Sequence, residues 1–363
     1  MGLELEFAAV AFLIALPLTL LLRLPTKAGR VAAHAGIPRI GGFSIVTAFV
    51  LTPPLMAMVN NDARAFLRDD WGHFLALGLC GGLVFVVGAI DDFRDLNWKT
   101  KFSAQIVAAI GLYLAGFRVG EMTLPGGGTL ELGIADAPLT VLWLVFMANA
   151  LNLIDGHDGV AAGISALVSA TIAYAAYDLG HELIALLFAA LAGASLGFMP
   201  LNLPPAKRFL GDSGAYFLGL TIAALSVAGF VDSTGRVPLY IPVVALGLPV
   251  LDTGVSFLRR ILDGRNPMAA DMDHFHHRVQ RLLHWGPLQT AFAAYGLTAL
   301  FCGAALLLHT WYKSAGSAVV GAVVLAFAVL LVTLLGYVRT MWESVRHGRR
   351  GEKVQPEAVH EAP

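Results

Sequence analysis

Long apolar stretches separated by short polar turns run along most of the chain. A membrane-spanning helix needs roughly 20 apolar residues. Eleven stretches approach that length, near residues 3–22, 41–59, 72–90, 102–117, 139–154, 159–177, 183–201, 214–231, 241–257, 288–308 and 318–338. The pattern predicts an all-α fold, namely a polytopic integral membrane helix bundle with about 11 transmembrane helices.

The positive charges indicate how this bundle is oriented, because cytoplasmic loops carry an excess of Lys and Arg. If the N-terminus lies outside and all eleven stretches span, 19 of the 24 Lys and Arg residues lie on the inner side and 5 on the outer side. This split favours an outer N-terminus and an inner C-terminus. Only a short polar turn divides stretch 139–154 from stretch 159–177. A single helix there would reduce the count to ten and reverse the predicted orientation of every later helix.

The domain organisation is simple. Residues 1–345 are predicted to form one polytopic domain, and residues 346–363 a polar cytoplasmic tail without apolar periodicity, which predicts disorder. The first stretch has neither a positive n-region nor a small-residue cleavage site, so we expect it to be retained as a helix. The outer loop 118–138 is expected to hold a short hairpin around residues 126–128.

The composition supports a membrane protein. Hydrophobic residues make up 57% of the chain and charged residues 13%, with a mean hydropathy of +0.72. Soluble domains average about 25% charged residues.

The net charge of −1, without a basic tract interleaved with aromatics, gives no indication of nucleic-acid binding. Cys80 and Cys302 lie in apolar runs, so we expect core residues there and neither a disulfide nor a cysteine metal site.

Carboxylates at one membrane surface are the first indication of chemistry. A charged side chain within an apolar span costs on the order of 3 kcal/mol. Six such residues nevertheless lie at or near the inner ends of the predicted spans, namely Asp91, Asp92, Asp155, Asp158, Asp212 and Asp252. Each one alone could cap a helix or mark a loop. Six on one side indicate a shared polar site.

Segment 149–163, NALNLIDGHDGVAAG, adds polar ligands. Asn149, Asn152 and Asp155 are spaced i, i+3 and i+6, so they lie roughly on one helical face. The glycines that follow break the helix and open the N-terminus of the next one, which favours phosphate binding. Asn and Asp side chains can also read a uracil edge or hold the water shell of a metal. The alternative is a pair of helices with polar caps.

Segment 202–214, NLPPAKRFLGDSG, combines cations, an aromatic ring and a carboxylate. Lys207 and Arg208 are phosphate-binding candidates or topological anchors. Phe209 can stack on a base. Asp212 lies at a tight turn that opens a helix, which suits magnesium, an ion that takes one or two protein carboxylates together with substrate phosphates.

Three histidines follow the ninth stretch in DMDHFHHRVQRLLHWG, namely His274, His276 and His277. Zinc is one interpretation, because imidazole is a good zinc ligand. A cluster that binds phosphate or moves protons is the second. A polar loop rich in histidine is the third. The loop has no Cys and no HExxH-type spacing, which weighs against zinc.

In chain order these segments resemble the motifs of the polyprenyl-phosphate N-acetylhexosamine-1-phosphate transferases, glycosyltransferase family 4. VGAIDDFRDLNWKTKF resembles the family's aspartate pair with its downstream Lys, and NALNLIDGHDGVAAG resembles its Asn-x-x-Asn-x-x-Asp-Gly-x-Asp-Gly motif. FLGDSGAYFLG is similar to its Gly-Asp-x-Gly motif, DHFHHR to its His-x-His-His loop, and HAGIPRIGG to its first cytoplasmic loop. The resemblance extends from about His34 to Arg278.

The family includes bacterial undecaprenyl-phosphate GlcNAc-1-phosphate transferases and, more distantly, phospho-N-acetylmuramoyl-pentapeptide transferases. The histidine loop lacks the three consecutive histidines typical of the second branch, so the first is favoured. Two departures from the family pattern lie near the expected sugar site. They are Ala215-Tyr216, where small residues are more usual, and His157 within the DGHDG turn.

The resemblance implies a reaction and its setting. A polyprenyl phosphate attacks the β-phosphorus of a UDP-N-acetylhexosamine, UMP leaves, and a polyprenyl-diphospho-sugar is formed that initiates a cell-envelope glycan such as a lipopolysaccharide O-antigen. The implied cofactor is Mg²⁺, with Mn²⁺ as a substitute. The implied partners are the UDP-sugar, undecaprenyl phosphate and the membrane, with no nucleic acid, and a homodimer stays open. The implied location is the bacterial inner membrane, with the active site on the cytoplasmic face.

The resemblance also assigns roles to residues. The implied catalytic set is Asp91, Asp92, Lys101, Asp212, His274, His276 and His277. The implied substrate-binding set is Asn149, Asn152, Asp155, Asp158, Phe209 and Arg278. The implied metal ligands are Asp92, Asn152, Asp155 and Asp212. Asp252 is expected either to support the site or to pair with Arg259 or Arg260. Direct attack by the lipid phosphate and a covalent aspartyl intermediate both stay open.

Two functions of other classes compete with this interpretation. Intramembrane carboxylates and broken helices also occur in transporters, whose sites lie at the bilayer midplane. Most of the carboxylates here lie at one surface. A zinc-dependent intramembrane hydrolase is the second alternative.

Overall fold

The structure is a computed structural model that describes residues 2–22, 37, 39, 41–123, 129–228, 239–264, 274–311 and 316–337. The predicted tail at 346–363 and most of the first cytoplasmic loop lie outside these residues.

Helices dominate the described residues, in agreement with the predicted all-α class. The first half contains α1 (Gly2–Leu21), α2 (Gly41–Val59), α3 (Asn61–Asp69), α4 (Trp71–Phe93), α5 (Trp98–Leu114), α6 (Asp136–Ile154) and α7 (Val160–Asp178). The second half contains α8 (Glu182–Asn202), α9 (Gly211–Ala228), α10 (Tyr240–Ala245), α11 (Gly247–Leu262), α12 (Phe275–Leu283), α13 (Pro287–Trp311) and α14 (Gly316–Leu334).

Nine of the helices in the described ranges are long and apolar enough to cross a membrane. The two other predicted spans are also helical. Helix α5 has only 17 residues, and the stretch predicted at 241–257 consists of α10 and α11, which meet at Leu246. Helices α6 and α7 are separate, as predicted. The class of multi-pass membrane protein is therefore confirmed, whereas the count of eleven and the orientation stay predictions.

Helix α9 occupies the centre of the bundle and contacts α2, α4, α6, α7 and α8. Two glycines permit very close approach to its first turn. A Cβ atom on Gly42 would lie 2.5 Å from the backbone nitrogen of Gly214, and one on Gly88 would lie 2.6 Å from the Cα atom of Ser213. Small residues let helix backbones meet in this way. Helices α2 and α4 are thus fixed against the start of α9.

The opposite end of the bundle holds the predicted hairpin. Strands β1 (Glu121–Thr123) and β2 (Thr129–Glu131) pair in antiparallel register, with Met122 opposite Leu130. Asp136 accepts hydrogen bonds there from the Gly120 amide (2.7 Å) and the Thr140 hydroxyl (3.1 Å). Helix α14 packs mainly on α13 at the edge of the bundle, and most of its surface is exposed.

Candidate active site

A lysine shared by two carboxylates forms the centre of the site. Lys101, in the first turn of α5, places its Nζ atom 2.8 Å from Asp91 at the end of α4 and 3.0 Å from Asp212 at the start of α9. The three side chains are only 21%, 14% and 26% exposed. Asp91 also accepts a hydrogen bond from the Leu96 amide (2.7 Å). The end of α4 and the starts of α5 and α9 therefore meet at one cation, although Asp212 is 111 positions from Lys101 in the chain.

Asp92 caps the central helix. Its carboxylate accepts hydrogen bonds from the backbone amides of Asp212 (2.9 Å) and Ser213 (3.2 Å) and from the Ser213 hydroxyl (2.8 Å). The first amides of a helix lack partners within the helix and carry its positive dipole end, so a carboxylate stabilises them. Gly211, at φ +79°, leaves room for Asp92, because a Cβ there would lie 2.6 Å from its Oδ2 atom. The sequence had offered a helix cap as one alternative for Asp92, without indicating which helix.

Asp155 adds a further carboxylate directly after α6. Burial raises its pKa well above the usual range for a carboxyl group, and the carboxylates of Asp212, Asp92 and Asp158 raise it further, whereas Arg39 opposes the shift. Several carboxyl groups therefore lie close to one another at this point. Asn149, on the preceding turns, lies deeper in the bundle, where its amide donates to Gln105 Oε1 and to the Val145 carbonyl.

The donor set fits a divalent cation. Asp155, Asp212 and Asp92 influence one another electrostatically, and carboxylate oxygens are the ligands that magnesium prefers. Within the described ranges, no three His, Cys, Asp or Glu side chains enclose a metal ion by themselves. An ion that takes one or two protein carboxylates and completes its shell with substrate phosphates and water does not require such an enclosure.

The loop between α8 and α9 is held by two polar residues. Asp158 accepts a hydrogen bond from the Ala206 amide (3.0 Å). Asn202 accepts one from the Gly159 amide (3.1 Å) and donates one to the Arg208 carbonyl (2.9 Å). The Phe209 carbonyl accepts from the Gly41 amide (2.9 Å). The loop that carries Phe209 is therefore tied both to the turn after α6 and to the start of α2.

Four imidazole rings form a row beside this turn. The ring of His276 lies 5.5 Å from that of His157, 4.2 Å from that of His277 and 6.3 Å from that of His274, centroid to centroid. His157 also forms a hydrogen bond with the Pro287 carbonyl (2.9 Å). Burial, with His277 and His157 nearby, lowers the pKa of His276 to about 3. The histidine loop is therefore in contact with the 155–158 turn, and a neutral ring faces it.

Asp252 supports the histidine loop, which was one of its two predicted roles. Its Oδ2 atom lies 3.0 Å from His274 Nδ1, and its Oδ1 atom accepts hydrogen bonds from the Phe275 amide (2.7 Å) and the Tyr337 hydroxyl (2.6 Å). Arg278 lies on the side of α14, where it donates to the Leu335 carbonyl (2.9 Å) and stacks on the Tyr337 ring.

Most of the predicted site residues therefore meet at one end of the bundle. Asp91, Asp92, Lys101, Asp155 and Asp212 form the carboxylate–lysine cluster, and the three loop histidines lie next to the turn after α6. Asn149 and Arg278 contact neighbouring helices instead. Sequence reasoning missed the contributions of Ser213, Asn202 and Tyr337. Ser213 and Asn202 lie within recognised segments, whereas no motif in the sequence indicates Tyr337.

Comparison with known proteins agrees with this geometry. Residues 74–230 match the family described as glycosyl transferase family 4. A probable undecaprenyl-phosphate N-acetylglucosaminyl 1-phosphate transferase of Bacillus subtilis (strain 168) is 36% identical over 244 residues, covering 67% of this chain and 65% of the relative. The chain thus spans slightly less than two thirds of that relative's length.

Two further relatives are covered more completely. A decaprenyl-phosphate N-acetylglucosaminephosphotransferase of Mycolicibacterium smegmatis is 32% identical over 309 residues, covering 74% of this chain and 76% of the relative. A phospho-N-acetylmuramoyl-pentapeptide-transferase of Synechococcus sp. is 33% identical over 299 residues, with coverages of 78% and 81%. The fold and site define a multi-pass membrane protein with a carboxylate–lysine cluster at one end of its bundle. The chain belongs to glycosyl transferase family 4.

Proposed function

We propose that the protein transfers an N-acetylhexosamine-1-phosphate from a UDP-sugar to a polyprenyl phosphate, releasing UMP and forming a polyprenyl-diphospho-sugar. GlcNAc-1-phosphate is the preferred group, and undecaprenyl phosphate the preferred acceptor. The observation that carries the proposal is Lys101 between Asp91 and Asp212, with Asp155 beside them at one end of the helix bundle. The names of the relatives, which specify polyprenyl phosphates and N-acetylglucosaminyl phosphates, support the substrates.

The arrangement suits the meeting of two anionic phosphates. Two unit charges 4 Å apart repel by about 4 kcal/mol at an effective dielectric constant of 20, so phosphoryl transfer depends on positioning and charge neutralisation. Lys101 neutralises one phosphate. Asp91, which Lys101 and the Leu96 amide hold in place, orients the acceptor phosphate or accepts its proton.

Asp212, Asp155, Asn152 and Asp92 would hold Mg²⁺, or Mn²⁺ in its place. The ion, when bound, supplies charge neutralisation at the diphosphate. Asp158 and Phe209 belong to the side of the site that we assign to uracil. His274, His276 and His277 line the side assigned to the diphosphate or the sugar. The site would face the cytoplasm from the bacterial inner membrane, where both the UDP-sugar and the lipid headgroup are accessible.

The first experiment is a UMP-release assay on purified protein in detergent with undecaprenyl phosphate. UDP-GlcNAc, UDP-GalNAc and UDP-MurNAc-pentapeptide are supplied separately, each with Mg²⁺ or with EDTA. The proposal expects UMP release that requires both the lipid phosphate and the metal, with UDP-GlcNAc as the best donor. Activity restored by Zn²⁺ but not by Mg²⁺ would favour a zinc hydrolase. No release from any donor by folded protein would contradict the proposal and make transport the next function to test.

The pentapeptide transferase reaction is the second candidate, because the Synechococcus relative bears that name. The same assay separates the two, since a preference for UDP-MurNAc-pentapeptide would select it. The separation of the loop histidines by Phe275 favours the GlcNAc reaction.

An exchange experiment separates direct attack from a covalent intermediate. Labelled UMP is incubated with UDP-GlcNAc and enzyme in the absence of lipid phosphate. A phosphosugar bound to an aspartate would return to UMP and produce labelled UDP-GlcNAc. Direct attack by the lipid phosphate predicts no label without the lipid. Asp91→Asn and Asp212→Asn, tested in parallel, would show which carboxylate any exchange requires.

A further inference from the structure

Helix α14 contributes little to the core, yet the segment that follows it is buried beside the histidine loop. Most of α14 is exposed, whereas Tyr337, three residues after its end, is only 2% exposed. The Tyr337 hydroxyl donates to Asp252 Oδ1 over 2.6 Å. Within the part of the chain that the structure describes, the segment after α14 therefore contacts the carboxylate that supports the histidine loop through Tyr337.

Asp252 connects Tyr337 to the histidines. The same Oδ1 atom accepts the Phe275 amide, which opens α12, and Oδ2 lies 3.0 Å from His274 Nδ1. His274 is 3% exposed, so its ring orientation depends on these buried contacts. A carboxylate held by three donors has little freedom to rotate, and such partners fix the orientation of the imidazole that they contact.

Arg278 holds the Tyr337 ring from the other side. Its guanidinium lies 3.9 Å from the ring centroid, and it donates to the Leu335 carbonyl over 2.9 Å. A cation over an aromatic face is attracted by the ring quadrupole. This placement gives Arg278 a structural use that the sequence interpretation, as a substrate ligand, had not included.

We propose that Tyr337 is a positioning residue that fixes Asp252, and through it the His274 ring and the first turn of α12. The segment that follows the last spanning helix thereby supports the transfer reaction from outside the cluster around Lys101. This inference rests on the proposed function, since the histidine loop is assigned there to the diphosphate or the sugar. It adds a residue beyond the 74–230 region that the family match covers.

The test removes only the hydroxyl. Tyr337→Phe keeps the ring that Arg278 contacts, and we expect kcat for UMP release to fall about tenfold, as for other partners that orient a functional imidazole. The KM for the lipid phosphate should stay unchanged, because the cluster around Lys101 is not altered. Tyr113→Phe is the matched control, since it removes a hydroxyl that faces the carboxylate of Asp136 at the other end of the bundle.

A double-mutant cycle separates positioning from a general loss of structure. If Tyr337 acts through Asp252, Tyr337→Phe should cause no further loss in an Asp252→Ala background, which lacks the oxygen that accepts from Tyr337, because coupled residues are not additive. Wild-type kcat in Tyr337→Phe would overturn the inference. So would a full tenfold loss that persists in the Asp252→Ala background.

A second readout does not depend on transferase activity. Hydrogen–deuterium exchange of the α12 peptide, Phe275–Leu283, should be several-fold faster in Tyr337→Phe, and unchanged in Tyr113→Phe, because the Phe275 amide is bonded to Asp252. If the wild-type protein released no UMP, the proposed function would fail, and this exchange would still decide whether Tyr337 fixes the loop. Unchanged exchange in Tyr337→Phe would overturn that role.

Discussion

Carboxylates occur at both ends of the bundle, but they are used differently. At the end that carries the hairpin, Asp178 lies 2.9 Å from His309 and Asp136 accepts two local hydrogen bonds. Both carboxylates make only local structural contacts among the described residues. At the other end, Asp91 and Asp212 share one lysine, and burial together with neighbouring carboxylates raises the pKa of Asp155.

The difference is one of charge balance. A carboxylate with a partner of its own is satisfied locally, whereas buried carboxylates that share one cation are costly unless a ligand completes the group. Among the described residues, the end where Asp91 and Asp212 share Lys101 is therefore the candidate active site. The following predictions test this comparison.

The largest expected effect comes from neutralising a carboxylate of the cluster. Asp212→Asn or Asp91→Asn should reduce kcat by about a thousandfold or more, because charge stabilisation dominates phosphoryl transfer. Asp178→Asn makes the same change at the opposite end and should alter kcat by no more than about twofold. UMP release measures all three. Equal losses in the three variants would remove the distinction between the two ends.

Lys101→Met should have the next largest effect. It leaves Asp91 and Asp212 without their shared cation, so we expect kcat to fall about a hundredfold. Lys99→Met, two residues earlier, is the control, because Lys99 is exposed and lies near the Trp98 ring. Steady-state UMP release is again the measurement, and similar rates for the two variants would count against a role for Lys101.

A glycine substitution tests how rigidly the cluster is held. In Gly88→Ala the new methyl group meets the backbone of Ser213 at 2.6 Å, and overpacking of this kind costs about 1–3 kcal/mol. Gly78→Ala, in the same helix, meets nothing within 4 Å and should be neutral or slightly stabilising. Thermal unfolding in detergent compares them. A lower melting temperature for Gly78→Ala than for Gly88→Ala would contradict the packing argument.

The smallest effect concerns pH. A histidine in the unfolded chain has a pKa of about 6.5. Burial beside His277 and His157 lowers the pKa of His276 to about 3. Between these values the unfolded state binds more protons than the folded state. The contribution of His276 to stability is therefore complete above about pH 6.5 and is lost as the pH falls towards 3.

His276→Phe should reduce the loss of melting temperature between about pH 7.5 and about pH 5. His73→Phe, at an exposed position near the opposite end, is the control and should leave that loss unchanged. The prediction fails if His276→Phe and the wild-type protein lose stability equally on acidification.

Hydrophobicity along the chain predicted the long helices of the bundle, but not the short, more polar helices α3 and α12. It also located the carboxylates at helix ends, because an aspartate at the limit of an apolar span stands out in the sequence. It did not detect the break between α10 and α11, since the stretch stays apolar through Leu246. Hydrophobicity reports which residues avoid water and contains no information about a local change in backbone direction.

The site was predictable where motifs supplied the residues, and not where contacts join distant helices. Asp91, Asp155 and Asp212 were recognised from their motifs, yet nothing in the sequence indicated that Asp92 would cap α9. Tyr337 carries no motif at all. Such contacts depend on how the helices pack. Gly42 and Gly88, which lack side chains, let α2 and α4 approach the start of α9 closely.

The cap on α9 also affects how the protein is made. Asp92 and the amide of Asp212 are 120 positions apart in the chain. At roughly 5–20 residues per second, a ribosome needs about 6–24 seconds to cover that distance. During this interval α4 has been synthesised, but the amides that its terminal carboxylate will bind do not yet exist. A nascent chain that is released before Gly211 is synthesised therefore contains Asp91 and Asp92 but lacks the helix that completes the site.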